Sequence, residues 1–250
     1  MEVLMIRDPV CLMTITPSHA VAMSEFGGRS YYFCSEECRD KFRERPQAFL
    51  NKAPGMRLTV GVMGSADSNQ DDDIKDQVYQ LGVAIAERGL VLITGACPGL
   101  PYACAEGVRE AGGTSVGISP ALSLDEHVHK YYSPADAYDV LIYTGSGLMG
   151  REVTNIRSSD MVIIVGGRSG TLGEFAIAFD EGKLIGVLRG SGGITSQLPA
   201  IVASFGKDTG SHIIYDADPV TLVSLLLTYY ETHQFRRPSC FCDEQMDAAG

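Results

Sequence analysis

The stretch IIVGGRSGTLGEFAIAF, Ile163–Phe179, opens as an apolar run, passes through Gly166, Gly167 and Gly170, and continues with helical composition. A wholly apolar run of about four to eight residues fits a strand buried on both faces, and glycines at its end permit a turn that side chains would obstruct. The stretch therefore reads as strand, glycine turn and helix. Outward from it the same unit recurs: LTVGVM precedes DIKDQVYQLGVAIAERG, LVLIT precedes a helix ending near Ala111, and TSVGIS follows. Beyond these come DVLIYT with a helix from about Gly150, LIGVLRG with a helix through LPAIVASFG, and HIIYD with PVTLVSLLLTYYE.

Repeated strand and helix, with strands apolar throughout, predicts an α/β fold: a doubly wound, mainly parallel, Rossmann-like sheet covered by helices on both faces. Right-handed crossovers then put ligands outside the carboxyl ends of the strands, so the loops after strands are where binding residues are sought. A small cysteine-containing α+β domain is expected to precede this sheet. Its boundary falls at NKAPGM, residues 51–56, which combines proline and glycine with no apolar period. The division predicted is a first domain over 1–50, a linker over 51–56, the sheet domain over 57–231 and a flexible tail over 232–250.

The 250 residues are 45% hydrophobic, enough for a sizeable core, and carry a net charge of -11 with a pI near 4.9. That charge argues against a nucleic acid polymer as partner, because such binding rests on neutralising many phosphates; a single phosphate pocket remains compatible with it. No basic stretch leads into a long apolar run, and VTLVSLLLTYY is too short to span a bilayer, so a cytoplasmic protein without a membrane partner is expected. The 7 cysteines are odd in number and clustered, which favours thiols or metal ligands over disulfides.

Three of them, Cys11, Cys34 and Cys38, fall in the first domain. A turn bearing Cys11 can meet the CxxxC pair at a strand-to-helix junction, where the helix's amide end favours thiolates. Such thiolates suit Zn(II) or another soft or borderline ion such as Cu(I), the alternative being that the cysteines are small buried apolar residues. DPVCLM followed by GGRSYYFCSEECRDKFRERPQAFL resembles the YHS domain and the wider TRASH group of heavy-metal-associated modules. The resemblance implies Cys11, Cys34 and Cys38 as metal ligands and Tyr32, Phe33, Phe42 and Pro46 as core, with Leu12 where the family has glycine. Asp8, His19, water or a tail cysteine could supply a fourth ligand; Cys240 and Cys242 are otherwise free thiols.

In the sheet domain four loops stand out. GVMGSADS places Gly64 and Ser65 just past a strand, where amides can face an anion, and ITGACPGL places Gly95 and Gly99 between strand and helix. In TGSGLMGREV, Arg151 opens a helix, where a cation does not serve the helix dipole and instead meets solvent or an anionic ligand. In the opening stretch Gly170 and Thr171 lie at a helix's amide end; Glu174 is either a capping-box partner of Thr171 or a pocket residue.

REVTNIRSSDMVIIVGGRSGTLGE resembles the signature of the LOG (Lonely Guy) proteins of the SLOG superfamily, with Gly170, Thr171 and Glu174 on the family's GTxxE and Arg151 at the family distance before Asp160. The resemblance implies a phosphoribohydrolase that cleaves a purine nucleoside 5'-monophosphate to base and ribose 5-phosphate, with no metal or redox cofactor in catalysis. Glu174 would stabilise the oxocarbenium-like sugar and activate water, while Arg151 would orient it or the ribose. Gly64, Ser65, Gly95, Gly99, Gly167, Arg168, Gly170 and Thr171 would bind the nucleotide, and a homodimer or higher homo-oligomer is expected. Gly166, Arg168, Glu152 and Asn155 replace the family's proline, second glycine, lysine and methionine. These departures support a second expectation, a non-catalytic nucleotide sensor coupled to the metal domain, and a third, a dimer with a decayed pocket. The first βα turn lacks an intact GxGxxG, which argues against a dinucleotide dehydrogenase.

Overall fold

The computed structural model describes residues 6–234 apart from 12, 27–28, 45, 47–48 and 50–56. Leu12, the 51–56 linker, Cys240 and Cys242 lie outside the described residues.

The first unit holds two antiparallel pairs, β1 (Ile6–Arg7) with β2 (Thr14–Ile15) and β3 (Ala22–Phe26) with β4 (Arg29–Phe33), followed by α1 (Glu36–Glu44). Its core is aromatic: Phe33 and Phe42 are buried with ring centroids 5.1 Å apart. Strand alternation corrects one expected core residue. Tyr31 shares the face of Phe33 and lies 5.1 Å from the Phe42 ring, whereas Tyr32 projects from the opposite face and is half-buried. Pro46 is half-buried as well.

The second unit is a seven-stranded sheet, all parallel, in the order β11-β10-β9-β5-β6-β7-β8. Its strands are β5 (Thr59–Gly64), β6 (Val91–Thr94), β7 (Thr114–Ser119), β8 (Val140–Tyr143), β9 (Met161–Val165), β10 (Leu184–Leu188) and β11 (His212–Asp216). The helices between and after them are α2 (Asp72–Glu87), α3 (Leu100–Glu110), α4 (Gly147–Arg157), α5 (Ser169–Asp180), α6 (Leu198–Phe205) and α7 (Pro219–Tyr229).

Both faces of the central strands are dry, and the reason is visible in β9. Met161, Ile163 and Val165 pack into one core with α2, α3 and α7, while Val162 and Ile164 pack into the other with α4, α5 and α6. Burying one such side chain is worth about 1.5–3 kcal/mol, so a strand apolar on both faces specifies a central position. The edge strand β8 differs from the expectation of strands covered on both faces: Val140, Ile142 and Tyr143 are exposed.

Strand order reverses between β5 and β9, since β5 leads on one side to β6 and on the other to β9. The carboxyl ends of these two strands therefore diverge into loops on opposite sides, leaving a crevice between them. Asp160 lies at the far end of β9, where its Oδ2 accepts the Thr59 N–H at 2.7 Å and ties the two central strands together.

Two helix boundaries differ from the sequence reading. Helix α4 begins at Gly147, so Arg151 sits a turn inside it rather than at its opening. Helix α5 begins at Ser169 with Arg168 as its cap, which places Thr171 third in the helix and removes the capping-box role from Glu174. The helical trace after α7 continues to Gln234, three residues into the stretch read as tail.

Candidate functional site

The crevice at the β5/β9 switch encloses about 340 Å³. Gly64, Ser65, Gly95, Arg151, Arg168, Gly170, Thr171 and Glu174 line it, together with Cys97, Leu148, Met149 and Glu152. Gly99 and Gly167 do not line it and act behind it. A Cβ on Gly99, whose φ is +80°, would meet the Asp67 carbonyl at 2.7 Å, and Leu100 donates its N–H to the Ser65 carbonyl at 2.9 Å. That glycine thus seats the loop after β5 against the start of α3. Gly167, with φ of +90°, leaves space that the Thr171 side chain fills, and its carbonyl accepts the Ile194 N–H at 3.0 Å. The turn is pinned from the other side by the buried Ser191, whose Oγ accepts the Gly166 N–H at 2.9 Å.

At the floor of the crevice Arg151 and Glu174 face each other, both side chains 9% exposed, with Nη1 3.7 Å from Oε1. That is an ion pair and too long for a hydrogen bond. Arg151 Nε and Nη1 are buried without a hydrogen-bond partner among the described residues, so the guanidinium keeps donors available to a ligand. Burial pushes the Glu174 carboxyl up to about 7; the Arg151 charge and the Asn155 amide pull it down and the Glu152 carboxylate pushes it further up. A carboxyl poised near neutrality can take a proton from water and return it. Burial likewise raises the Cys97 thiol to about 11, so it sits beside the pair as a neutral group.

Gly95 owes its place to the arginine. A Cβ there would overlap the Arg151 guanidinium, so the absent side chain makes room for the cation rather than for a ligand alone. Gly95→Ala should displace Arg151 and, by the sensitivity of such geometry, cost about 10²-fold in any turnover the pair supports. The measurement is kcat/KM of the variant against wild type at equal melting temperature, and an unchanged value would contradict this role.

The two charged departures from the LOG-like pattern occupy different places. Arg168 stands at the rim, its side chain 79% exposed and Nη1 4.0 Å from Asp67 Oδ2, so it neither fills nor closes the crevice. Glu152 is buried inside, with Oε2 3.2 Å from where a Cβ on Gly173 would stand.

In the first unit Asp8, Cys11, Cys34 and Cys38 bring ligand atoms within 4.8 Å of one another. The Cys11 and Cys34 sulfurs are 3.4 Å apart and those of Cys34 and Cys38 3.9 Å apart. Thiolates on a tetrahedral zinc, with Zn–S of about 2.3 Å, lie about 3.8 Å apart, close to both of these sulfur spacings, so the donor set fits such an ion. Local structure explains the convergence: Cys34 directly follows β4, Cys38 lies in the first turn of α1, and buried Asp8 accepts the Cys34 N–H at 2.8 Å and the Cys11 N–H at 3.4 Å. Burial pushes the Asp8 carboxyl up, but its amide hydrogen bonds outweigh that and hold it below the usual range. The hydrogen bond to Asp8, then the Cys11 thiol, push Cys34 up to about 12, a preference that a cation would reverse. His19 is outside the cluster; its Nδ1 lies 2.6 Å from Thr16 Oγ1.

Family models match both units of the chain. The model of the SLOG cluster4 family matches residues 57–223. The chain belongs to that family. A YHS domain model matches residues 6–53, so a YHS domain precedes the SLOG domain in the same chain. An uncharacterised protein of Archaeoglobus fulgidus is 36% identical over 132 residues, 53% of this chain and 80% of that protein. A copper-transporting P-type ATPase of Rhizobium leguminosarum bv. viciae is 47% identical over 45 residues, 18% of this chain and 5% of the ATPase. Among solved structures, the molybdenum cofactor carrier protein of Chlamydomonas reinhardtii is 28% identical with a TM-score of 0.57, over 69% of this chain and 99% of that one.

Within the SLOG domain, sequence reasoning missed Cys97, Leu148 and Met149 as lining residues and treated Asn155 and Glu152 only as departures. The signal for Leu148, Glu152 and Asn155 was present as helical spacing, since residues three and four apart share a helix face; starting α4 too late hid it. Among the described residues no helix is long and apolar enough to cross a membrane.

Proposed function

We propose that the SLOG domain is a phosphoribohydrolase acting on a purine nucleoside 5'-monophosphate. The Arg151–Glu174 pair on the crevice floor carries this reading, because it joins a carboxyl near neutrality to an arginine with unused donors beside a glycine turn and helix end. In this proposal the amides around Gly170 and Thr171 hold the 5'-phosphate, with Gly64 and Ser65 on its other side. Arg151 holds the ribose and Glu174 in register. Glu174 takes a proton from water as the water oxygen bonds to C1' and the bond from C1' to the base nitrogen breaks; the electron pair leaves with the base, which is then protonated by Glu174 or by solvent. No cofactor enters these steps. Release of ribose 5-phosphate from AMP, N6-substituted AMP and other purine monophosphates tests the reading.

A second reading is binding without turnover, as a carrier or sensor. It is supported by the similarity to a molybdenum cofactor carrier over nearly all of that protein and by the carboxylate of Glu152 inside the crevice. Tight nucleotide binding with no ribose 5-phosphate would favour it.

The same proposal gives the YHS domain a soft or borderline ion, Zn(II) or Cu(I), on Cys11, Cys34 and Cys38, with Asp8 completing the set or organising the loop. The domain limits proposed are 1–50 and 57–231, supported by family matches over 6–53 and 57–223. Reduced thiols as ligands support a cytoplasmic location. Exposed Leu122, Val140 and Ile142 support a homo-oligomer through this apolar face.

A further inference from the structure

Glu152 is the one buried carboxylate in the crevice that the proposed hydrolysis does not use. The residue is 7% exposed, and its carboxylate oxygens, without a hydrogen bond from the described residues, open onto the crevice rather than being enclosed. Its oxygens rest on the glycine flank of α5, 3.2 Å from the Cβ position of Gly173 and 3.8 Å from that of Gly170. Its oxygens are not among the fully enclosed polar atoms, so water in the crevice reaches them, and a ligand that brings donors takes the place of that water. Burial pushes the Glu152 carboxyl up and the Arg151 charge pulls it back down, but Arg151 forms its ion pair with Glu174 and Arg168 lies at the rim near Asp67, so neither guanidinium hydrogen-bonds Glu152.

The surroundings suit a flat heterocycle. Leu148 lies one helical turn before Glu152 on α4, so the two share a face, and Leu148 and Met149 form an exposed apolar wall of the crevice. A ring lying on that wall would present its edge to the carboxylate. Two parallel N–H donors match two carboxylate oxygens, and a charge-assisted pair of this kind is about twice as strong as a neutral one. Guanine offers such an edge through N1–H and the 2-amino group, as do pterins. Adenine offers one amine beside a ring nitrogen whose lone pair would face the carboxylate, and hypoxanthine a single donor.

Resting on the reading of the crevice as a nucleotide site, we propose that Glu152 is its specificity-determining residue and selects a 2-amino-oxo pyrimidine edge, the edge of guanine and of pterins, over adenine. Calorimetric titration of the full chain with GMP, neopterin, AMP and IMP, at mildly alkaline pH so that the carboxylate is ionised, tests it. GMP or neopterin should bind at least about tenfold more tightly than AMP and IMP, since a site built to pair donors rejects analogues lacking them. Tight neopterin with weak GMP would identify the pterin as the source of the same edge.

Glu152→Gln keeps the shape but turns one acceptor into a donor, which suits adenine N1 and its amine. The variant, at unchanged melting temperature, should lose about tenfold or more in GMP or neopterin affinity and gain in AMP affinity. AMP binding as tightly as GMP and neopterin to wild type, retention of the preference by the variant, or no binding of either favoured ligand would overturn the proposal. Ribose 5-phosphate release is read separately: base preference without release defeats the hydrolase reading alone, and release without base preference defeats this inference alone.

Discussion

Glu174→Ala is expected to lower ribose 5-phosphate release by about 10³-fold while leaving nucleotide affinity within a few-fold of wild type, the range lost when a positioned general base is removed. The expectation follows from the placement of Glu174 beside Arg151 on the crevice floor and of the amides proposed to hold the phosphate a turn earlier in α5. Its pH dependence has a defined sign. Burial raises the carboxyl to about 7, so the base is protonated and idle below neutrality, and kcat/KM should rise with pH through an apparent pKa near 7. Arg151 holds that value down, so Arg151→Met should move the rising limb to higher pH as well as lower its plateau. Stability runs the other way. A folded-state pKa above the ordinary value of 4.5 gives stability that is present below that value and lost as pH rises through about 7. Glu174→Gln, neutral at every pH, should therefore melt above wild type at neutral and alkaline pH and lose that advantage in acid. Turnover by Glu174→Ala equal to wild type would refute the assignment of the base.

The second large effect belongs to the YHS domain. Cys34 touches both other thiols and has its amide held by Asp8, so Cys34→Ser should abolish stoichiometric metal rather than weaken it. A unit of this size buries little core, and in small metal domains the binding free energy, about 10–16 kcal/mol for structural zinc, is also folding free energy. Loss of metal should therefore expose the Phe33–Phe42 core, read as faster hydrogen exchange across β3, β4 and α1, with the SLOG domain's melting unchanged. Thiol protons must leave before the metal binds, so affinity should rise with pH, and chelation of wild type should reproduce the variant. Purified wild type with neither zinc nor copper, and with Cys11, Cys34 and Cys38 freely alkylated, would contradict this.

The fold was legible because its strongest signals are local. Continuous β-branched runs such as MVIIV mark strands covered on both faces, and each glycine turn marks the following helix. What the sequence could not place was exposure at the edge: β8 has the composition of a buried strand but ends the sheet. At the crevice, the roles of Arg151 and Glu174 came from the resemblance to the LOG signature, and local spacing alone does not bring them together, because α4 follows the edge strand β8 while α5 follows the central strand β9. The task of Gly95 was not legible. Its neighbour in space, the Arg151 guanidinium, is distant in the chain, and only the packed structure shows that the glycine yields to an arginine. Thr171 and Glu174 mimic a capping box in sequence, yet the helix starts two residues before Thr171, which frees the glutamate for the ion pair. In the YHS domain the three thiols were predicted together, whereas Asp8 was one fourth-ligand candidate of several until its amide contacts showed it organising both cysteine loops.

The central claim, that this crevice cleaves an N-glycosidic bond, is tested most directly by incubating wild-type protein with a panel of purine nucleoside 5'-monophosphates and measuring ribose 5-phosphate. The account predicts ribose 5-phosphate and free base in equal amounts from at least one member, absent from the Glu174→Ala control. Nucleotide bound at the crevice with no ribose 5-phosphate from any member would contradict it and leave a binding protein in its place.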